Sequence, residues 1–411
     1  MPVVPRLCLA ALACVLLCSH VGAQELNLTE DQAIMQFMER SPDVRALRHR
    51  VAEQSQQNQA RTLLANPTLW YTQENAAGVR DDFLQFRQPI PLTGRRGLFE
   101  RANREATASV EATVDYEIHQ LQAAIRSAFT SLLRTQQREQ ALDESLQEIG
   151  ETVRVLTARE REGEGSRFDL LRGERELEEL RATLAGETIA RVRAQSELAG
   201  RIGIAGSAES LVATSTPGPD PTLPPVAQLV DQALMSRADL RAESSRLASV
   251  DAEHEAGRRL RFPQPSVTGG LKRTRVGGIA DTGYILGVEL TLPLSNRGQT
   301  ETARAKATSG RVRANQEALR LRIAREVRTA YQMATLSRQR AQNYVAGTGV
   351  SGEALALIAR LAYEEGEQGI LELIDAHRVT LSTRLRGIDL LADARQAQVE
   401  LGRVVGHEVA Q

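Results

Sequence analysis

From Leu98 to Ile149 apolar residues recur with a helical period, and neither Gly nor Pro interrupts them. At about 1.5 Å of rise per residue this run predicts a rod on the order of 80 Å long, too long for one compact domain. Leu142, Leu146, Ile149, Val153 and Leu156 step by four, three, four and three, the seam of a helix that lies along a neighbour in a coiled coil. The rod ends at Glu162-Gly163-Glu164-Gly165-Ser166. Leu170, Leu177 and Leu184, at heptad spacing, then define a returning helix that starts near Phe168. Together they predict an αα-hairpin.

Two alternating stretches precede the rod. Thr68 to Glu74 and Asp82 to Ile90 read as strands joined by a loop from Asn75 to Asp81, with Trp70, Tyr71, Phe83 and Phe86 near it. The corner Gln88-Pro89-Ile90-Pro91-Leu92-Thr93-Gly94-Arg95-Arg96 passes the second strand into the helix. Later in the chain the same order returns. Tyr284, Leu286, Val288, Leu290 and Leu292 alternate with Gly287, Glu289 and Thr291, and lead into Leu292-Pro293-Leu294-Ser295-Asn296-Arg297. Leu121, Ile125, Arg126, Ala128 and Phe129 match Ile323, Val327, Arg328, Ala330 and Tyr331 at one constant offset. Gly163, Phe168 and Asp169 likewise match Gly366, Leu371 and Glu372, and Ile202-Gly203 matches Val405-Gly406.

Each half thus reads helix, helix, strand, strand, long helix, long helix: a tandem duplication with a period far longer than that of ordinary solenoids. The expected fold class is mainly α with a small β part. The expected boundaries are a first repeat over 24–203, with strands near 67–75 and 82–92 and a helical hairpin over 96–203; a linker over 204–225; and a second repeat over 226–411, with strands near 265–274 and 283–294 and a hairpin over 298–406. Pro217-Gly218-Pro219-Asp220-Pro221 and Pro224-Pro225 stiffen the linker. No proline falls between Pro91 and Pro217 or after Pro293, which supports this map.

Composition adds three constraints. Aromatic residues make up only 3% of the 411, which suits extended helices better than a globular core. A formal net charge of -1, with Arg interleaved with Glu and no basic tract, argues against nucleic acid as a partner and assigns charge to solvated faces. All three cysteines, Cys8, Cys14 and Cys18, lie in the N-terminal segment whose apolar run Leu7 to Leu17 is preceded by Arg6 and followed by Val21-Gly22-Ala23. That is the pattern of a signal peptide over 1–23, and it leaves a mature chain without thiols, as an oxidising compartment favours. Leu12 stands one place from where a lipobox needs it, which argues against a lipidated Cys14. The apolar run is also shorter than the ~20 residues that span a bilayer.

Four strands of this length, with one apolar face, have the pattern of transmembrane β-strands, yet the smallest such barrels need about eight. An open sheet edge is not tolerated in lipid, so several copies must share one barrel. The alternative is a pair of soluble hairpins beside a coiled coil.

With these features assembled, the chain resembles the TolC family of outer-membrane efflux proteins over its whole mature length. The residues that carry the resemblance are the Gln88-to-Arg96 corner, the duplication, and the turn Tyr363-Glu364-Glu365-Gly366-Glu367-Gln368-Gly369-Ile370-Leu371-Glu372-Leu373-Ile374-Asp375-Ala376. The resemblance implies a homotrimer with a twelve-stranded barrel in outer-membrane lipid, continued by a twelve-helix tube in the periplasm. It also implies docking to a periplasmic adaptor protein and an inner-membrane pump of the resistance-nodulation-division type. It places the periplasmic gate at Glu372 and Asp375, with Asp169 the first-half counterpart of Glu372, and the adaptor-docking tips at Gly163, Gly165, Gly366 and Gly369. Three copies of a carboxylate around a narrow axis repel one another and attract cations. Arg172 stands where the first half would match Asp375, and Gln368 replaces a basic residue of some relatives. The same acidic residues also fit a solvated helix face beside a turn.

The corner looks most like the cation-efflux branch, which points to heavy-metal cations as substrate. Multidrug efflux and type I protein secretion stay open, as does a periplasmic coiled-coil adaptor from another class. His49, His119, His254, His377 and His407 are scattered and read as surface residues, so no metal site, cofactor or catalytic group is expected.

Overall fold

The computed structural model describes residues 26–204, 210–214 and 223–409; the expected signal peptide and parts of the expected linker lie outside these. The element order is β1 (Leu26–Leu28), α1 (Glu30–Arg40), α2 (Pro42–Gln59), β2 (Thr68–Ala76), β3 (Val79–Pro89), α3 (Arg95–Glu162), α4 (Arg167–Ile202), β4 (Leu211–Ala213), α5 (Val226–Ser236), α6 (Ala238–Arg258), β5 (Gln264–Val276), β6 (Ile279–Thr291), α7 (Gln299–Glu364) and α8 (Ile370–Val405). Helices α3 and α7 run 68 and 66 residues without a break, and α4 and α8 run 36 each.

The chain forms two compact units, and neither is one half of the sequence. The first takes the described residues within 1–41, 124–219 and 336–396; the second takes 42–123 and the described residues within 220–335 and 397–411. The long helices pass from one unit into the other, so each unit holds segments of both repeats.

In the first unit the seam read from the sequence is buried. Leu142, Ile149, Val153 and Leu156 of α3 pack with Leu170 and Leu180 of α4 and with Ile370, Leu373 and Ile374 of α8, while Leu146 is partly buried against them. Charged residues join the same helices rather than serving solvated faces alone. Arg138 of α3 donates to Glu187 of α4 at 3.0 Å and to Asp389 of α8 at 2.9 Å, its side chain only 21% exposed. Helix α1 starts with a capping box: the Thr29 hydroxyl accepts from the Gln32 N–H and the Gln32 side chain accepts from the Thr29 N–H.

The structure adds two strands that the alternation does not announce. β1 pairs in parallel with β4, inside the expected linker. Glutamines satisfy the backbone around this small sheet, since Gln195 Nε2 donates to the Leu211 carbonyl at 2.8 Å and Gln136 Oε1 accepts from the Ala213 N–H at 3.0 Å.

The second unit contains the main sheet, of order β2-β3-β5-β6 and antiparallel throughout, so that β2 and β6 are its edges. The expected loop from Asn75 to Asp81 is mostly ladder. Pairing continues to Ala76 and Val79, leaving a two-residue turn in which Ala77 and Gly78 take positive φ of 51° and 78°. The helix side of the sheet repeats at the proline corners: Leu92 N–H donates to the Ile90 carbonyl and Leu294 N–H to the Leu292 carbonyl, both at 2.9 Å, each closing a tight turn around a proline.

The core of the second unit gathers Leu229 and Ala233 of α5, Leu240 of α6, Ile323 and Val327 of α7, and Leu401 of α8. At its α5–α6 corner sits Arg237, with only 4% of its side chain exposed. It donates to Asp239 at 2.7 Å, to Glu326 at 2.9 Å and to the Val404 carbonyl at 3.0 Å. Three acceptors on α6, α7 and α8 offset the cost of burying the guanidinium. Removing it would leave two partly buried carboxylates unpaired. Arg237→Ala is therefore expected to destabilise the protein by about 3 kcal/mol, read as a lower thermal midpoint by circular dichroism. Arg237→Lys should recover only part, because an ammonium cannot span the three acceptors.

Candidate functional site

The two helical hairpins turn in the same way, bond for bond. Gly163 N–H donates to the Glu160 carbonyl, and Glu164 and Gly165 N–H both donate to the Arg159 carbonyl. Gly366 N–H donates to the Tyr363 carbonyl, and Glu367 and Gln368 N–H both donate to the Ala362 carbonyl. Gly163 and Gly366 hold φ of 77° and 74°, left-handed values that strain any residue with a Cβ, which is why glycine ends both helices. Gly165 also lies too close to the last turn of α3 for a side chain, a Cβ there falling 2.9 Å from the Glu160 nitrogen. Ser166 caps α4 by accepting from the Phe168 N–H at 3.2 Å, and Gly369 takes the equivalent place before α8.

Asp169 and Glu372 both stand in the first turn of their helices, where carboxylates are favoured by the N-terminal helix charge. Glu372 and Asp375 are exposed, one turn apart on α8, and Asp169 and Arg172 on α4 are half-buried. The residue that ties this face down has no local signal in the sequence: Arg378 donates to both carboxylate oxygens of Glu176, Nε lying 2.9 and 2.8 Å away. That bond raises the Arg378 pKa, and the nearby Asp375 carboxylate adds to the effect. Glu176 is buried on α4, so α4 and α8 are pinned together beside the acidic pair.

His377 departs from the surface position expected of it and is 6% exposed. Its Nδ1 lies 3.3 Å from Glu148 Oε2 in a groove of about 540 Å³ that Glu144, Arg360 and Arg384 also line. Burial lowers the His377 pKa and Arg360 adds to this, against the opposite pull of Glu148 and Glu176. Among the described residues no group of three or more His, Cys, Asp or Glu could hold a metal ion.

The main sheet has two unlike faces. Cross-strand rows Tyr71–Leu84–Leu271–Tyr284 and Leu69–Phe86–Gly269–Leu286 run across all four strands on one face, and Val288 and Leu290 extend it along β6. These side chains are exposed: Leu69, Tyr284, Leu286 and Val288 are 69, 79, 77 and 76% accessible. Phe86 covers Gly269, where a Cβ would lie 2.7 Å from its ring, so the aromatic fills the gap in the apolar row. The other face is polar, with Arg87 paired to Glu289 at 3.1 Å and Lys272 to Asp81 at 2.9 Å. From Tyr284 to Leu292 the apolar positions cover about 26 Å of strand, close to the height of a membrane band. Among the described residues no helix is long and apolar enough to cross a membrane.

The family described as Outer membrane efflux protein matches residues 229–407, so over this part the chain is similar to that family. Of individual proteins it is similar to the cobalt-zinc-cadmium resistance protein CzcC of Cupriavidus metallidurans, 23% identical over 84% of this chain and 82% of that one. Its fold is similar to that of CusC, with a TM-score of 0.73 at 17% identity over 93% of each chain. It is also similar to that of the Campylobacter jejuni CmeC outer membrane channel, with a TM-score of 0.74 at 15% identity over 93% of this chain and 86% of that one.

The depressed His377 pKa sets a pH dependence. The unfolded chain takes up a proton near the ordinary histidine value of about 6.5 while the folded chain resists it. Stability present above that pH is therefore lost as pH falls. The thermal midpoint is expected to drop between about pH 7.5 and 5.5, and His377→Gln should shrink the drop. Equal drops in both proteins would show that this side chain does not carry it.

Proposed function

We propose that the protein is the exit duct of a tripartite system that exports heavy-metal cations. In this reading three copies close a twelve-stranded barrel in the outer membrane and a twelve-helix periplasmic tube, and the duct docks to a periplasmic adaptor and an inner-membrane pump of the resistance-nodulation-division type. The observation that carries it is the four-stranded sheet with an exposed apolar face and unpaired edges at β2 and β6. An antiparallel pairing of β6 with β2 of a neighbouring copy would satisfy both edges. Mature boundaries of 24–203 for the first repeat, 204–225 for the linker and 226–411 for the second belong to this proposal.

The metal assignment is supported by the similarity to CzcC, named a cobalt-zinc-cadmium resistance protein, and by the proline corner. The gate is assigned to Glu372 and Asp375, with Asp169 the counterpart of Glu372 on α4, because the two α8 carboxylates are exposed on one face next to the turn. The tips at Gly163, Gly165, Gly366 and Gly369 are assigned to adaptor docking. Their bonding pattern is the same twice over, so a trimer would offer six equivalent turns to a repeating partner.

Two experiments test this reading. A deletion strain should become several-fold more sensitive to cobalt, zinc and cadmium salts and keep its tolerance of a dye-and-antibiotic panel. Sensitivity confined to the panel would make the duct a multidrug one. In planar bilayers the Glu372→Gln, Asp375→Asn double variant should show higher single-channel conductance and weaker cation selectivity than the parent. Unchanged values would remove the gate from these residues.

A further inference from the structure

The apolar face of the sheet changes character beyond its tyrosines. Moving from the row Tyr71–Leu84–Leu271–Tyr284 toward the hairpin turns, the next row on the same face is Gln73–Asp82–Arg273–Thr282 and the one after is Asn75–Arg80–Arg275–Ala280. Three arginines and one carboxylate share these eight positions. On the opposite face the corresponding rows are Thr72–Phe83–Lys272–Gly283 and Glu74–Asp81–Thr274–Asp281, which hold three carboxylates and one lysine. The two faces differ in sign at the same height on the sheet, so the positive charge is a property of one face rather than of the strand ends.

Asp82 is already fully engaged. It accepts from the Tyr71 hydroxyl at 2.7 Å and lies 3.3 Å from Arg80 and 3.9 Å from Arg275. One carboxylate thus hydrogen-bonds one guanidinium and attracts a second, and among the described residues Arg273, which is exposed, has no acidic partner. At about 3.3 Å per residue the arginines stand roughly 7 to 13 Å beyond the tyrosine row. If the apolar band faces hydrocarbon, that is the depth of the lipid headgroups, where a guanidinium can make paired hydrogen bonds to a phosphate.

We infer that Arg80, Arg273 and Arg275 form a docking surface for the phosphate-bearing headgroups of membrane lipid in the external leaflet, continuous with the apolar band that receives the acyl chains. Asp82 spaces the arginines and keeps them in one plane. The inference rests on the outer-membrane channel reading, which orients this face toward lipid and the hairpin turns outward.

The test uses the purified full-length protein in a neutral detergent, with native mass spectrometry to count retained lipid. Phosphatidic acid is the probe, and diacylglycerol, the same molecule without its phosphate, is the control. The parent should retain phosphatidic acid and not diacylglycerol, and R80Q/R273Q/R275Q should bind it about tenfold more weakly, as expected when charge-assisted bonds are lost. Asp82→Asn, which releases two arginines, should bind more tightly than the parent, a gain that misfolding cannot mimic. Lys272→Gln, on the opposite face, should bind as the parent does. Equal binding by the triple variant, weaker binding by Asp82→Asn, an effect of Lys272→Gln as large as the triple, or full competition by inorganic phosphate at the lipid's concentration would each overturn the inference. Fractionation separates the two levels: parent protein in the soluble fraction sinks the channel reading beneath it, whereas outer-membrane protein with an unaffected triple variant sinks the arginine surface alone.

Discussion

A sheet that turns an apolar face to lipid cannot leave an edge open, because a strand N–H or C=O without water or a partner costs several kcal/mol in hydrocarbon. The four-stranded sheet here has edges at β2 and β6 and an apolar face exposed from Leu69 to Leu290. The edges and the face set opposite demands on a single chain: the face calls for lipid and the edges forbid it. In the assembly proposed above, association of identical copies would meet both demands at once, and the long helices that leave the same strands through Pro91 and Pro293 would be carried along with it.

Duplication supplies the parts of this design, and divergence supplies its polarity. Both hairpin turns keep the same bonds, and both proline corners keep the same tight turn. The buried corner that follows the first short helix of each repeat has diverged, with Ser41 in one and Arg237 in the other. At the tips Asp169 and Glu372 correspond, but Arg172 stands in the first repeat where Asp375 stands in the second. Backbone geometry has thus been retained while the charges around it have moved, which is how two equivalent hairpins come to present different surfaces.

Much of this was legible in the residues themselves. Glycine, proline and the period of apolar positions mark the ends of α3, α4, α7 and α8 to within a few residues, because those signals act locally on the backbone. The seam through Leu142 and Leu156 was readable for the same reason. What could not be read depends on partners far apart in the chain. Arg138 finds Asp389, Arg378 finds Glu176 and Arg395 finds Glu30 across hundreds of positions, so an arginine among glutamates looks solvated until the helices are packed. His377 was misplaced on the surface because its burial comes from α3 and α7, not from its own neighbours. β1 and β4 escaped because three residues are too few to show alternation. The hairpin turn is shorter than the sequence predicts because Ala77 accepts a left-handed φ that alanine rarely takes.

Arg138 has a mechanical consequence. By holding Glu187 and Asp389 together it makes a fulcrum on α8, and from Asp389 back to Ile370 the helix forms an arm of about 29 Å at 1.5 Å per residue. A tilt of about 10° around that point would carry the tip end of α8 by about 5 Å. Of the fastenings along the arm, Arg384 with Glu144 stays about half in water, where an ion pair is cheap to part, whereas Arg378 holds the buried Glu176. The arm is therefore clamped at its root by Arg138, pinned near its tip by Arg378 and held only lightly between them by Arg384.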